Sequence, residues 1–205
     1  MDIIAVSKKK PVVDIKKAYE AGHRLFGENR VQELIEKQPL LPGDIHWHMI
    51  GHLQTNKVKY IAGFVDMIHS VDSLKLAQAI NKEALKAGRV IPVLLQMHIA
   101  EEENKFGFSE EELNSLLDSQ AFSLMKNIRV DGLMGMATYT EDLGKIRSEF
   151  RSLREVFSRA KNAYFAGSDH FMQISMGMSG DYEIAIEEGS TMIRVGTLIF
   201  GARTY

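Results

Sequence analysis

The sequence predicts a single-domain α/β protein of the (β/α)8 TIM-type barrel class. Two observations carry this. Eight short apolar runs alternate with segments of helical period, and the 205 residues hold no Gly/Ser-rich or charge-block stretch that would mark a linker. The first strand is residues 2–7, apolar and β-branched. Pro11 stands where a first helical turn accepts it, and Val12, Ile15, Lys16 and Tyr19 begin a helix that stops at Gly22. Residues 24–26 form the second strand, followed by a helix through Val31, Leu34 and Ile35. The third strand is 46–50, with a short helix over 57–62. The fourth is 67–71. Asp72 or Ser73 then caps a long helix through Leu74, Ala77, Ile80, Ala84 and Leu85, closed by Gly88. The fifth strand is 91–99, and Ser109-Glu110-Glu111-Glu112 reads as a capping box. The sixth is 130–137, before a helix marked by Arg147, Phe150, Leu153, Arg154 and Phe157. The seventh is 171–175, with residues 182–188 in the helix after it. The eighth spans 191–200, which leaves only residues 201–205 and so no eighth helix. The competing architecture, an open doubly wound sheet, usually carries a Gly-rich turn after its first strand, where this chain has Lys8-Lys9-Lys10-Pro11.

Charge and composition narrow the function. Lys plus Arg is 25 and Asp plus Glu 27, a formal charge of −2. No basic excess points to nucleic acid or to an anionic membrane surface. The chain has no cysteine, which excludes disulfides, thiolate nucleophiles and cysteine-ligated metals. In MDIIAVSKKK the charges follow the apolar run, the reverse of a secretory signal. The apolar stretches at 93–95 and 198–200 fall far short of the ~18 residues of a membrane span. A cytoplasmic protein is the expectation.

In either α/β architecture, functional groups collect where strands end. Those positions hold Lys8, Asn29, His48 with His52, Ser70, His98, Thr138, Ser175 to Ser179 and Arg194 to Thr197. A strand-end lysine in a barrel mouth can be partly desolvated, which lowers its pKa and suits it to Schiff-base formation. The alternative is a solvated three-lysine cluster on a loop. Period-2 alternation puts Ile4, Val6 and Lys8 on one face, so Lys8 can join the barrel interior and Lys9 cannot. The Ser175-Met176-Gly177-Met178-Ser179 and Arg194-Val195-Gly196-Thr197 segments belong to strands seven and eight, where this barrel usually binds phosphate. Two ordinary turns would read the same. No GxxxxGK(S/T) or GxGxxG competes. His46, His48 and His52 lack a third-ligand carboxylate at useful spacing, so no metal is expected. Met134, Met136, Met172, Met176 and Met178 read as core filling. Glu101 to Glu103 read as a solvated turn, and Arg147, Arg151, Arg154 and Arg159 as a salt-bridged helix stripe.

Several motifs occur in fixed order: AVSK at 5–8, FGENRVQE at 26–33, WHMIGHLQTNK at 47–57, GLM at 132–134, SMGMSGDYEIAI at 175–186 and GSTMIRVGTLIFGAR at 189–203. Together they resemble, nearly end to end, the pyridoxal phosphate homeostasis protein family, which is similar to the N-terminal barrel of alanine racemase. The resemblance implies pyridoxal 5'-phosphate (PLP) as cofactor, held as a Schiff base on Lys8. It implies Asn29 near the cofactor ring or its hydroxyl and His48 lining the same mouth. Ser175, Gly196 and Thr197 would hold the phosphate, and Arg194 would face the pyridine nitrogen. An always-charged Arg disfavours protonation of that nitrogen and makes the ring a weak electron sink.

The implied function is therefore PLP buffering and delivery, with no catalytic residue assigned. The implied partners are PLP and PLP-dependent apo-enzymes, with the protein a monomer. A PLP-dependent racemase or lyase, the alternative, needs a second acid/base opposite Lys8, for which Tyr139 and His98 are the candidates. Lys10 could relay the aldehyde outward from Lys8, although solubilising charge is the expected role. Family members usually carry a helix before the AVSK strand, whereas this sequence begins inside that strand. Barrel surface left uncovered there would favour self-association.

Overall fold

The computed structural model describes residues 1–101 and 106–201. Eight strands close into a parallel barrel in sequence order: β1 (Asp2–Val6), β2 (Leu25–Glu28), β3 (His46–Met49), β4 (Met67–Val71), β5 (Ile91–Gln96), β6 (Ile128–Met134), β7 (Gln173–Met178) and β8 (Met192–Val195). β8 returns to β1 with Asp2 opposite Met192 and Ala5 opposite Val195. The helices between them are α1 (Val12–Glu20), α2 (Val31–Lys37), α3 (Leu74–Lys86), α4 (Glu110–Asp118), α5 (Gln120–Ser123), α6 (Leu143–Tyr164), α7 (Tyr182–Glu187) and α8 (Thr197–Phe200). The short helix expected over 57–62 is a 3-10 segment, Thr55–Tyr60.

Local chemistry accounts for the helix starts. Ser73 accepts from Leu76 N–H, and Asp142 accepts from Lys145 N–H. Ser109 and Glu112 form both bonds of the capping box. Each helix buries one stripe. Leu76, Ala77, Ile80 and Ala84 of α3 face inward, while Leu85 is exposed. The opposite face of α6 carries the expected ion pairs, Arg147 with Glu187 and Glu188, Arg151 with Glu188, and Arg159 with Glu110. Arg154 instead lies over the Phe157 ring. Among the described residues no helix is long and apolar enough to cross a membrane.

The main core lies between strands and helices, where Phe26, Trp47, Ile68, Leu95, Leu133 and Ile174 meet Ile15, Leu34, Ile80, Leu113, Phe150 and Leu153. Residues of the other strand face fill the barrel. Ile4, Val6 and Ile50 form one apolar cluster there, and Met67, Leu94, Met134 and Met192 another.

Strand ends differ most from expectation. The eighth strand stops at Val195, and Thr197–Phe200 turn into the short α8 rather than continuing the ladder. Lys10 Nζ donates to Phe200 O at 2.8 Å and to Gly201 O at 3.2 Å, closing that turn. The expectation that no residues remain for an eighth helix is thus corrected: one turn is made from residues read as strand. The seventh strand runs three residues further than expected, to Met178. Glu102 and Glu103 of the expected acidic turn, and the last two residues of the 189–203 motif, lie outside the described residues.

Candidate binding site at the barrel mouth

A cavity of about 330 Å³ opens beyond the C-terminal ends of the strands. Lys8, Asn29, Arg194, Gly196 and Thr197 line it, as the sequence predicts. His48 and Ser175 do not. The reason is depth. Ser175 lies inside β7, three residues short of its end, and is fully buried. On β3 the inward positions alternate, so Ile50 reaches the cavity and His48 lies one step below it.

Backbone pairing sets the height of each lining residue. Ser7 N–H donates to Gly27 O at 3.0 Å, the last rung beside β2, so Lys8 is the first residue beyond it. Asn29 follows β2 directly, and its carbonyl packs on Gly51, where a Cβ would come within 2.4 Å of Asn29 O. Only glycine permits that approach. Asn29 Oδ1 is buried and accepts no hydrogen bond, an acceptor open to a hydroxyl donor in the cavity. Ser179 Oγ accepts from Gly196 N–H at 3.2 Å, joining the seventh and eighth loops.

Below the mouth a hydrogen-bonded chain crosses the barrel. Arg194 Nη1 donates to Ser175 O at 2.7 Å and Ser175 Oγ at 2.6 Å, and Nη2 donates to Gly135 O at 3.0 Å. Ser175 Oγ is 3.0 Å from His69 Nδ1, and His69 Nε2 is 2.8 Å from His48 Nδ1. A guanidinium can only donate, so Ser175 accepts from Arg194 at both its carbonyl oxygen and its Oγ. The direction of the bonds onward through His69 to His48 follows the histidine tautomers. Both rings are neutral. Burial pulls the His48 pKa down to about 4 and holds that of His69 well below the ordinary value. Burial also lowers Arg194, to about 10, so it remains a cation at neutral pH.

His46 and His52 turn elsewhere, His46 toward Asp66 and His52 toward Asp72 and the Phe106 ring. Among the described residues no group of three or more His, Cys, Asp or Glu side chains could hold a metal. The methionines divide against expectation. Met134 and Met176 are core, Met136 and Met178 line the cavity, and Met172 is exposed. Tyr139 sits on the rim, 98% exposed, and His98 is not a lining residue.

Two residues of the region, Asp181 and His69, are not among the sequence candidates. Ser179 belongs to the expected phosphate segment, and the longer β7 brings it, rather than Ser175, to the mouth. Asp181 lines the cavity and accepts from Met178 N–H, its carboxyl pushed up by burial. His69 was discoverable from alternation alone, since Met67 and His69 share the inward face of β4.

Residues 2–204 match the family model for the alanine racemase N-terminal domain. The pyridoxal phosphate homeostasis protein of Aquifex aeolicus is 42% identical over 99% of this chain and 87% of its own length. PipY of Synechococcus elongatus PCC7942, solved with PLP bound, superposes with a TM-score of 0.88 at 36% identity, covering 98% of this chain and 92% of that one. Alanine racemase of Clostridium difficile 630 superposes with a TM-score of 0.74 at 16% identity, over 100% of this chain and 53% of that one, a likeness of fold.

Proposed function

The chain belongs to the pyridoxal phosphate homeostasis protein family, on the barrel of the alanine racemase N-terminal domain, and from that premise we propose that it is a cytoplasmic, monomeric PLP carrier. Its role is to bind the cofactor in the barrel mouth, buffer it and hand it to PLP-dependent apo-enzymes. One observation carries the reading: Lys8 shares a cavity with Arg194, the Gly196–Thr197 turn and the unpaired Asn29 Oδ1.

Each group fits a part of PLP. Lys8 would hold the aldehyde end of PLP through its amine, a condensation that would release one water. Gly196 N–H is engaged by Ser179 Oγ, so Thr197, beside it, and the Ser179 hydroxyl would supply the donors to the phosphate. Asn29 Oδ1 accepts from the ring hydroxyl. Arg194 would face the pyridine nitrogen, held from beneath by Ser175, which His69 links in turn to His48.

The bound group would supply an electron sink, and an arginine at the ring nitrogen weakens that sink. The racemase reading needs an acid/base opposite Lys8. Tyr139 is almost fully solvated, Asp181 is engaged by Met178 N–H, and His98 is not in the lining. The carrier reading is therefore preferred.

The protein mixed with PLP should gain visible absorbance and a borohydride-stable adduct located on Lys8 by mass spectrometry. An unchanged adduct in Lys8→Ala would refute the lysine assignment. Solvent deuterium entering the α-carbon of an amino acid at enzymatic rates would refute the carrier.

A further inference from the structure

The turn that presents Lys8 is held from outside the barrel. Lys10 N–H donates to Ser7 O at 3.0 Å, closing a four-residue turn with Lys8 and Lys9 in the middle. Lys9 has a φ of +60°, the one non-glycine residue with positive φ among the described residues. Glycine adopts that conformation freely and lysine only at a cost, so it persists where the surroundings over-determine it.

The surroundings here are a buried ion cluster. Lys37 Nζ, at the end of α2, donates to Ser7 O at 2.9 Å, Glu28 Oε1 at 2.8 Å and Glu33 Oε2 at 2.9 Å. An ammonium has three protons, and each has an acceptor. Glu28 Oε1 also accepts from Ser7 Oγ at 2.7 Å, and Glu33 Oε2 from Lys9 N–H at 2.7 Å. The residues on both sides of Lys8 are thus tied to one ammonium and two carboxylates. None of these three side chains lines the cavity.

We propose that Glu28, Glu33 and Lys37 are positioning residues that clamp the Ser7–Lys10 turn and so aim Lys8 into the mouth, an inference that rests on the assignment of Lys8 above. The cluster's contribution is to keep the amine where the aldehyde arrives, and misplacement of a reacting group by about 1 Å can cost up to a hundredfold in rate.

Lys37→Met would strand buried Glu28 and could prevent folding, so the test uses the half-buried Glu33. In full-length Glu33→Ala the thermal midpoint should stay within a few degrees of wild type. The rate of borohydride-trappable adduct formation with PLP should fall about tenfold at every pH tested. Glu33→Gln, whose side-chain oxygen can still accept from Lys9 N–H, should recover most of that rate. Without PLP, hydrogen exchange at the Lys9 amide should quicken at least about tenfold in Glu33→Ala and return in Glu33→Gln.

Unchanged Lys9 exchange in Glu33→Ala would overturn the clamp, as would an adduct rate that ignores a loosened turn. If wild type forms no adduct on Lys8, the cofactor reading fails. The clamp is then decided by the exchange data alone.

Discussion

Lowering the pH from about 7.5 to about 5 should destabilise this protein by about 2 kcal/mol through His48 inside the barrel, with its neighbour His69 acting in the same direction. His48 has a folded pKa of about 4 against an ordinary value of 6.5, because burial penalises its charged form. A group depressed in the folded state contributes stability that is complete above its unfolded pKa and lost as pH falls toward the folded value. At about pH 7.5 neither state holds much of the proton. At about pH 5 the unfolded chain binds it with a statistical factor of about thirty and the folded chain scarcely does, a loss of about 2 kcal/mol. Burial holds His69 well below its ordinary value too, so its titration acts in the same direction.

For a chain of this size each kcal/mol moves the thermal midpoint by about 2–4 °C, so the His48 contribution should lower it by roughly 4–8 °C. Other groups titrate too. Glu28 and Asp181 are raised by burial and act in the opposite direction, gaining stability as pH falls through their folded values. The informative measurement is therefore a difference. Wild type and a His48→Gln/His69→Gln double variant would be unfolded in urea across the same pH series. Wild type should lose at least about 2 kcal/mol more than the variant between the two pH values. Equal losses would refute the assignment of two neutral buried rings.

Three further outcomes follow from packing. A Cβ on Gly132 would lie 1.8 Å from Gln173 O across the β6–β7 pair, so Gly132→Ala should cost more than about 4 kcal/mol. Denaturant titration within 1 kcal/mol of wild type would contradict that close approach. Phe171 is fully buried and stacks on Phe157 at 4.8 Å and Phe165 at 4.1 Å. Phe171→Ala should lose about 3–5 kcal/mol, read from the shift in urea midpoint at constant slope. Ser109→Ala removes one bond of the α4 capping box and should cost about 1 kcal/mol, with faster amide exchange confined to the first turn of that helix.

The parts of the fold legible in the sequence depend on near neighbours. Ser73 and Ser109 cap residues three positions ahead, and the α3 and α6 stripes repeat within a turn. Lys8 was placed on the inward face from its spacing to Ile4 and Val6, and it does line the cavity. The strand ends were not legible. Leu198 to Phe200 read as strand because they are apolar, yet they form a helical turn after Gly196, closed by Lys10 from 190 residues away. A seventh strand drawn three residues short put Ser175 at the mouth, where Ser179 stands.

By itself the sequence determined the order of the eight strands and of the main helices between them, favoured a barrel over an open sheet, and set the side of β1 on which Lys8 lies. All of these rest on alternation and helical period. Only the tertiary structure decided which inward side chains reach the cavity and which hydrogen-bond below it, because both depend on the register between strands. Ser175 and His69, partners across the barrel, are 106 residues apart. No local pattern encodes a contact at that separation. It exists because packed helices and closed ladders hold each strand at one height.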